Sequence, residues 1–531
     1  MKNLFLVPGS RVLGCLAAVC LHVACMKTMQ PDVSPNQEKN QQKVAGLAGI
    51  PQSLYVSTTG SDSNTGTIGS PLRTINYALS LTAPGDSVIV RQGTYVEKVV
   101  FPNSGSSGAY ITLKAYTGEQ PIISGASLPV GGNEALVRIS NIGWVVVDGF
   151  EVADLKTATS WNMPDGILVN GTSNNVIIRN NKVHNIENNN SPASGREAHG
   201  IHIIGNGTSP ITDVLVHNND IYDNNTGTSE NLTINGYVSG FTITNNRIYN
   251  GENIAICAAG GYAGNPNPAF NYARNGLIAG NYIWNIDGRT GPVPTLQNHP
   301  GTIGIYVDGA RNIIVERNYI SESDRGIGLV SENNSFPTAD CIVRNNVIRN
   351  NRAEGIYMGS YAGYTGGGTT GCLVLNNTLY HNATELGYDN EEVGEIRLNA
   401  NCTYNEIHNN IIHPRPDRNT FIRKHDATGS FNGIDYNLYY TTGAATRWFW
   451  NGVQLNSFAA WKGGSGGDTN GLYANPLFVS TVPSTLNLRL QSTSPAKNAG
   501  TNVHGTAAGT TDIDLQPRYN GIIEIGAFEL Y

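Results

Sequence analysis

The stretch Ile342-Val-Arg-Asn-Asn-Val-Ile348 decides the fold, because variants of it recur along much of the chain. Each variant has alternating apolar residues, then Asn-Asn or a close equivalent, then a second apolar pair. The other copies stand at residues 176–183, 214–221, 241–248, 314–320, 373–379 and 406–412. Successive Asn pairs lie 27 to 38 residues apart, except between 241–248 and 314–320, where the interval is 72 residues. Short period-2 strands repeated at this spacing, with no helical segment between them, predict a solenoid of stacked β-coils.

A second short strand precedes each of these phrases. Clear examples are Gly304-Ile-Tyr-Val-Asp308 and Gly326-Ile-Gly-Leu-Val330. The Asn pair between the two strands suits a corner, because Asn tolerates the left-handed backbone and its amide can stack on the coil above. The coils are longer than two strands and a corner require, so the extra residues are predicted to leave as long loops on one side.

The composition agrees with an all-β chain. The 531 residues include 62 Gly and 64 Asn, and charged residues make up 14% where about a quarter is usual. Sparse Lys and Arg, with a formal charge of −7, argue against a nucleic-acid partner, which needs clustered basic charge. The length alone suggests several domains, but the repeat assigns residues 51–531 to one solenoid.

The N-terminus has the pattern of an export signal. Lys2 and Arg11 flank an apolar stretch that ends at Ala24 and is followed by Cys25, as in secretory signals. The run Leu21-His-Val-Ala-Cys25 resembles the bacterial lipobox, which implies lipidation of Cys25 and an exported lipoprotein held at the periplasmic or outer cell surface. An ordinary signal cleaved near Ala24 is the alternative. Residues 1–25 are thus predicted as the signal, and 26–50 as a flexible tether.

The repeat resembles the right-handed parallel β-helix of polysaccharide lyases and several glycoside hydrolase families. The run from Tyr55 resembles the entry segment of those secreted enzymes, in which a short helix, here about Leu72 to Leu81, caps the core. The end of the chain, from Asp512 to Glu529, resembles their closing coil. The resemblance covers most of residues 54–531. It implies an enzyme that acts as a monomer on a polysaccharide or oligosaccharide.

The enzymes it resembles need no cofactor for hydrolysis, and Ca²⁺ enters only for a lyase. The chain lacks the Asp-Ala-Asp-Gly and Asp-Asp-Gly-Trp-Asp runs of family 9 pectate lyases, so their calcium site and lysine base are not carried over. No metal-binding residue is therefore assigned from the sequence.

Stacking brings equivalent positions of successive coils into columns about 4.8 Å apart. One outward column is predicted to read Leu168, His202, Thr233, Ala255, Tyr306, Gly328, Tyr357 and Arg397. Its middle turns place large polar side chains beside small residues, which leaves room for a flat ligand. We expect a substrate groove there, and its predicted binding residues are His202, Tyr306, Arg325, Tyr357, Glu395 and Arg397.

Asp308 and Glu332 are the first candidates for catalysis. Both are outward by parity, one coil apart and offset by two residues, so their carboxyl groups are expected about 5 to 9 Å apart. Glycosidases need such a pair, one protonated acid and one nucleophile or base. An Asp one coil below a Glu also resembles the pair of β-helix hydrolases of the β-xylosidase kind. The alternative is structural, with Asp308 in an Asx turn and Glu332 opening a loop.

Glu230 is the second candidate partner for Asp308. It precedes an Asn-aliphatic strand, as Glu252 does, and Asp165, His199 and Glu354 precede theirs. This column of acids could instead cap the corners by accepting backbone N–H bonds.

Two rival functions remain open. A lyase needs a base and a cation that neutralises a uronate, and Arg397, Arg423 and His425 supply those types. Arg397 and Arg423 are predicted on successive outward strands, where they could clamp a carboxylate or pair with the acidic loop before them. A non-catalytic glycan-binding solenoid is the third reading, but its uniform outer ladder is not what the charged middle turns predict.

Loops, cysteines and tryptophans complete the predictions. The loops at 263–273, 288–302 and 360–371 are expected to form the groove walls. Cys341 and Cys372 hold equivalent places in two repeats, which favours stacked core thiols over a disulfide. Trp461 is expected to cap the C-terminal end of the core.

Overall fold

The computed structural model describes residues 50–191, 194–291, 298–387, 391–519 and 521–530. The predicted signal with Cys25, and the tether up to residue 49, lie outside the described residues. From residue 50 onward the described chain belongs to one compact unit. It is a parallel β-helix built from three long sheets, as the repeat predicts.

Most coils contribute one strand to each sheet, and three coils contribute two short strands to the first sheet. The first sheet contains Ser53–Val56, Ser87–Val90, Ile111–Ala115, Gly143–Asp148, Asn174–Arg179, Thr212–His217, Ser239–Thr244, Arg274–Ala279, Arg311–Glu316, Thr338–Ala339, Ile342–Arg344, Thr369–Thr370, Leu373–Leu375, Cys402–Thr403, Glu406–His408 and Gly433–Asp435. The second, here called the groove sheet, contains Val99–Val100, Asn133–Ser140, Met163–Asn170, His199–Gly205, Leu232–Gly236, Ile256–Ala259, Ile303–Asp308, Arg325–Ser331, Ile356–Ser360, Ile396–Leu398, Thr420–Lys424, Arg447–Trp450 and Val453–Leu455.

The third sheet and the minor elements complete the coils. The third sheet contains Thr94–Tyr95, Ile122–Ser124, Glu151–Ala153, Lys182–His184, Asp220–Tyr222, Arg247–Gly251, Tyr282–Ile286, Tyr319–Ser321, Val347–Arg349, Thr378–Tyr380, Ile411–His413, Leu438–Tyr439 and Leu472–Tyr473. Two short pairs join Lys156–Thr157 to Glu187–Asn188 and Phe478–Ser480 to Asn487–Leu490. The helical elements are Ile75–Ser80, Phe458–Ser465, Gly288–Thr290, Pro483–Thr485 and Gly505–Ala508.

The Asn corners behave as the repeat predicts. The first Asn of a pair takes the left-handed backbone, for example Asn245 with φ of 56°. The second Asn is buried, and its amide donates to the side-chain oxygen of its equivalent one coil on, as Asn246 does to Asn281 at 3.0 Å. This Asn ladder contains Asn181, Asn219, Asn246, Asn281, Asn318, Asn346, Asn377, Asn410 and Asn437. Asn281 belongs to a coil that is not among the copies of the repeat identified from the sequence.

Both ends of the apolar core are covered. At the N-terminal end the helix Ile75–Ser80 begins at Thr74, whose side chain accepts from the backbone N–H of Tyr77. The helix is confirmed but is shorter than predicted. At the other end Trp461 is fully buried, and its indole N–H donates to Asp468 at 2.8 Å. Asp468 also accepts from Asn437 and so ends the Asn ladder.

The C-terminal segment does not close the last coil, which corrects the prediction. It packs back along the outside of the third sheet, where Phe478, Ile525 and Phe528 form an apolar cluster with Tyr380 and Ile411. The physical reason is that the helix Phe458–Ser465 already covers the end of the core, whereas this outer face exposes apolar side chains that need a partner.

One predicted column is shifted by two residues. Thr233 pairs with Cys257 rather than Ala255, and Cys257 pairs with Tyr306. Ala255 is instead buried in the core. Glu252 consequently leaves the column of Glu230.

Two further observations concern the chain as a whole. Cys257, Cys341, Cys372 and Cys402 are buried free thiols, so the prediction of core thiols at Cys341 and Cys372 is confirmed. Among the described residues, no helix is long and apolar enough to cross a membrane.

Candidate active site

A groove of about 650 Å³ lies on the outer face of the groove sheet. Cys257, Tyr306, Tyr357 and Arg397 line it. They belong to one column of the sheet, in which Thr233, Cys257, Tyr306, Gly328, Tyr357, Arg397 and Arg423 pair in this order. Segments next to the sheet add Tyr262, Tyr361 and the stretch 299–301 to the lining. The predicted groove and two of its loop walls thus lie together on one face.

Asp308 and Glu332 both line this groove. Asp308 pairs in register with Val330 on the next coil, so Glu332 is offset from it by two residues, as predicted. The backbone N–H of Glu332 donates to Oδ1 of Asp308 at 2.8 Å. Asp308 is only 1% exposed, whereas Glu332 is exposed to the groove.

Three tyrosines hold the pair. Tyr262 Oη lies within hydrogen-bond distance of Oδ2 of Asp308, and it also lies 3.3 Å from Oε2 of Glu332. Tyr306 and Tyr361 donate to the other oxygen of Glu332, at 2.9 and 3.3 Å. A single phenol hydroxyl therefore contacts both carboxyl groups.

The number of hydrogens on Tyr262 limits the protonation of the pair. A phenol has one hydrogen, so it cannot donate to Asp308 and Glu332 at once. Every contact is satisfied when Tyr262 donates to Asp308 and Glu332 carries a proton that it donates to Tyr262. The pattern thus fits one carboxylate and one carboxylic acid.

The electrostatic environment also favours one proton on the pair of carboxyl groups. Burial, and next the charge of Glu332, raise the pKa of Asp308 to about 7. Two interacting carboxyl groups titrate as a pair rather than as separate residues. The pair therefore retains one shared proton near neutral pH.

Gly328 makes room for Tyr306. A β-carbon at Gly328 would lie 2.8 Å from the Tyr306 ring and 3.1 Å from Ile303, closer than van der Waals contact. The missing side chain lets the Tyr306 ring lie across the next coil and reach Glu332.

Glu230 lines the same groove, with 19% of its side chain exposed. It accepts from the Thr233 hydroxyl at 2.8 Å. Burial raises its pKa to about 7. It is held in place, but no direct hydrogen bond joins it to Asp308 or Glu332 among the described contacts.

The other end of the groove is an ion-pair network. Glu354 is fully buried and binds Arg325 at 2.9 Å and Arg397 at 3.0 Å. Glu391 binds Arg397 at 2.6 Å and Arg423 at 2.7 Å. The arginines therefore pair with acidic residues of this chain, including the loop that precedes Arg397.

Tyr357 lies against two of these arginines. The guanidinium of Arg325 is 4.9 Å from its ring centre and that of Arg397 is 5.7 Å away. The Tyr357 hydroxyl accepts from Asn399 at 2.9 Å. Tyr306, Arg325, Tyr357 and Arg397 all line the groove, where they were predicted.

Two predicted binding residues do not line it. Glu395 is fully buried, because its carboxylate accepts from the backbone and side chain of Asn382 at 2.9 and 2.6 Å. The prediction that it faces outward is wrong. His202 is 3% exposed and lies 3.3 Å from Asp165. Burial lowers the pKa of His202 to about 3, so its ring is neutral.

Tyr262 is the residue that sequence reasoning missed. It stands one position before the predicted loop 263–273, outside every strand phrase. Its only signal was an aromatic residue at the edge of a Gly- and Pro-rich loop, which does not say which coil it contacts.

A calcium ion, which a lyase of this fold would imply, does not fit the metal-binding groups seen here. Calcium prefers six to eight oxygen ligands. Two clusters of described residues bring three candidate atoms within 4.8 Å of one another, Asp165/His199/His202 and Glu406/His408/His504. Each contains two imidazoles and one carboxylate, so neither is suited to calcium.

Comparison with known proteins identifies related chains. The family model of the Pel9A-like right-handed β-helix region matches residues 54–265, and the model of a general right-handed β-helix region matches residues 165–370. The uncharacterized protein YwoF of Bacillus subtilis (strain 168) is 30% identical over 427 residues, which cover 80% of this chain and 88% of YwoF.

Two further likenesses are more limited. The pectate lyase PEL9 of Emericella nidulans is 32% identical over 136 residues, 24% of this chain and 33% of PEL9. The solved complex of XylC with xylose superimposes with a TM-score of 0.53 at 15% identity, covering 90% of this chain and 98% of XylC. At that identity the likeness concerns the fold alone. The chain therefore belongs to the family of right-handed parallel β-helix proteins that includes YwoF, its relative across most of its length.

Proposed function

We propose that this protein is a glycoside hydrolase that acts on an oligosaccharide or polysaccharide through Asp308 and Glu332. The observation that carries the proposal is the Tyr262 hydroxyl, which contacts both carboxyl groups inside the groove. An acid and a carboxylate held side by side are the two groups that glycoside hydrolysis requires.

The spacing of the pair favours a double-displacement mechanism. Two contacts of hydrogen-bond length to one oxygen place the contacting oxygens of Asp308 and Glu332 no more than about 6 Å apart. Retaining enzymes keep their carboxyl groups about 5 to 5.5 Å apart, whereas inverting enzymes need room for a water. The short spacing therefore supports retention.

The exposure and hydrogen bonds of the two carboxyl groups support an assignment of roles. Glu332 is exposed to the groove, where it can reach the glycosidic oxygen, so we assign it as the acid that protonates this oxygen. Asp308, oriented by Tyr262 and by the backbone N–H of Glu332, attacks the anomeric carbon. Glu332 then accepts a proton from the water that hydrolyses the glycosyl–enzyme ester. Glu230 is the second candidate partner of Asp308.

Elimination of a uronate-containing glycan is the second candidate function. The match of residues 54–265 to the Pel9A-like region and the likeness to PEL9 favour it. A lyase needs a cation free to neutralise the uronate. Arg325 and Arg397 are instead ion-paired with Glu354 and Glu391, which weighs against it.

The products separate these functions. The protein is incubated with a panel of neutral and uronate-containing glycans, and both reducing ends and the ultraviolet absorbance of unsaturated sugars are recorded. Hydrolysis gives reducing ends without the absorbance. Unsaturated products that Asp308→Asn leaves unchanged would refute the proposal in favour of a lyase. Binding without turnover across the panel would refute it in favour of a glycan-binding solenoid.

The leaving group separates the two roles. On an aryl glycoside whose phenol needs no protonation, Glu332→Gln should lose far less of the first step than Asp308→Asn. Added azide should restore turnover and give a glycosyl azide with the variant that lacks the acid–base. The opposite pattern would exchange the roles of the two residues.

We further propose that the protein is exported and anchored by lipid on Cys25. The support is the lipobox-like run at 21–25. Mass spectrometry of the N-terminal peptide should detect acylated Cys25, and Cys25→Ala should release the protein from the membrane fraction. An unmodified N-terminus at another residue would contradict the anchor.

A further inference from the structure

Asp165, His199 and His202 form a closed polar cluster beside the groove. Asp165 is fully buried, and His199 and His202 are 4% and 3% exposed. Asp165 and His199 pair in register on successive strands of the groove sheet. One candidate ligand atom from each of the three residues lies within 4.8 Å of the other two.

Hydrogen bonding within the protein does not satisfy this cluster. Both carboxylate oxygens of Asp165 and Nδ1 of His202 are buried without a hydrogen-bond partner. Leaving a buried carboxylate unsatisfied is costly, and such groups in native proteins are paired, hydrogen-bonded or bound to a metal. Something outside the protein chain is therefore expected between these side chains.

The tautomer of His199 fits a ligand. Its Nδ1 lies 3.2 Å from the carbonyl oxygen of Glu230 and 2.9 Å from the Thr233 hydroxyl. When Nδ1 donates to that carbonyl, the lone pair is at Nε2. Metal-binding histidines are oriented in this way by a hydrogen bond from their other nitrogen.

The spacing fits a small divalent ion. Two ligands at about 2.0 to 2.1 Å from a tetrahedral zinc lie about 3.3 Å apart. Nδ1 of His202 and Oδ1 of Asp165 are 3.3 Å apart without the geometry of a hydrogen bond. A common ion explains the approach of these two atoms.

We propose that Asp165, His199 and His202 bind one divalent transition-metal ion, with zinc the best match. Two imidazoles and one carboxylate are a ligand set that zinc accepts, whereas calcium and magnesium prefer oxygen alone. The ion lies one coil before Glu230, to which His199 and Thr233 are hydrogen-bonded. It would therefore fix the end of the groove next to Glu230, independently of whether the glycosidase proposal holds.

Metal content tests the site without any substrate. The full chain is stripped with a chelator, loaded with Zn²⁺, desalted and measured by plasma mass spectrometry. We expect about one zinc per chain, and a loss of about tenfold or more in Asp165→Asn. The matched control is His408→Asn with His504→Asn, which dismantles the half-exposed second cluster and should retain the zinc.

Cobalt provides a second readout that does not depend on the Asp165 variant folding. Co²⁺ bound by the His408/His504 control variant should show the strong visible absorption of a low-coordinate nitrogen–oxygen site. A spectrum of hydrated cobalt, no retained zinc in the wild-type chain, or zinc that disappears with His408 and His504 would each overturn the proposal.

Discussion

The buried and the outward positions of the same coils differ in how much their residues vary from coil to coil. The Asn ladder repeats one residue through nine coils and ends at Asp468. The outer column of the groove sheet changes at almost every coil, from His202 through Cys257, Tyr306 and Gly328 to Arg397. The inner position meets the same backbone groups on every coil, so one side chain serves all of them. The outer position meets solvent or ligand, so each coil can differ.

The largest effect is expected at the groove, with stability unchanged. Asp308→Asn should lower kcat about 10³-fold, because an amide cannot serve as the nucleophile or share the proton. The control is Glu322→Gln, a carboxyl that is 61% exposed and lies outside the groove. It should keep activity within about twofold. Kinetics and thermal unfolding of both variants test this prediction. Equal losses of kcat in the two variants would contradict it.

The Asn ladder should show the reverse, a loss of stability. Asn246 is buried and exchanges hydrogen bonds with Asn219, Asn281 and Val216. Asn246→Ala leaves several of these groups unsatisfied, which we expect to lower the free energy of unfolding by about 3 kcal/mol.

Its neighbour provides the control in the same dipeptide. Asn245 is exposed with φ of 56°, where glycine is unstrained, so Asn245→Gly should cost less than about 0.5 kcal/mol. Urea unfolding of both variants measures the difference. Similar losses at the two positions would contradict the role of the ladder.

At Gly328 we expect smaller effects, on both stability and activity. Gly328→Ala places a β-carbon 2.8 Å from the Tyr306 ring and should displace it from Glu332. We expect about 1 to 2 kcal/mol of lost stability and a clear fall in kcat. Gly463→Ala, where no atom lies within 4 Å, should be neutral or slightly stabilising. Unchanged kcat in Gly328→Ala would exclude Tyr306 from the pair.

The smallest effect is a shift of the pH profile. Activity should fall as the pH rises through about 7, because the pair then loses the proton that Asp308 shares with Glu332. The hydrogen bond from Tyr262 favours the charged form of Asp308 and lowers its pKa. Tyr262→Phe removes that bond, so the alkaline limb of kcat/KM should move to higher pH.

Tyr364→Phe is the control for this shift. Tyr364 donates to the backbone carbonyl of Glu332 at 2.9 Å rather than to either carboxyl group. Its alkaline limb should stay in place. A shift to lower pH in Tyr262→Phe, or equal shifts in both variants, would contradict the shared-proton arrangement.

Much of the groove was predictable because a coil has a fixed period. Parity and spacing place Tyr306, Asp308, Glu332, Tyr357 and Arg397 on one face, and the structure places them there. The same reasoning failed where a corner intervened. Glu395 turns inward to end a row of buried amides, and the strand after Asn253 starts two residues later than its neighbours suggest.

The sequence by itself determined the coil, because its Asn-Asn corners and period-2 strands are local patterns that repeat. It also determined which strand residues point outward, since successive side chains alternate between the two faces. Only the tertiary structure decided which outward residues meet. Tyr262 reaches Asp308 from a loop, and Glu354 pairs with Arg325 and Arg397 from other coils. Loop paths and ion pairs depend on contacts between coils, which no local pattern records.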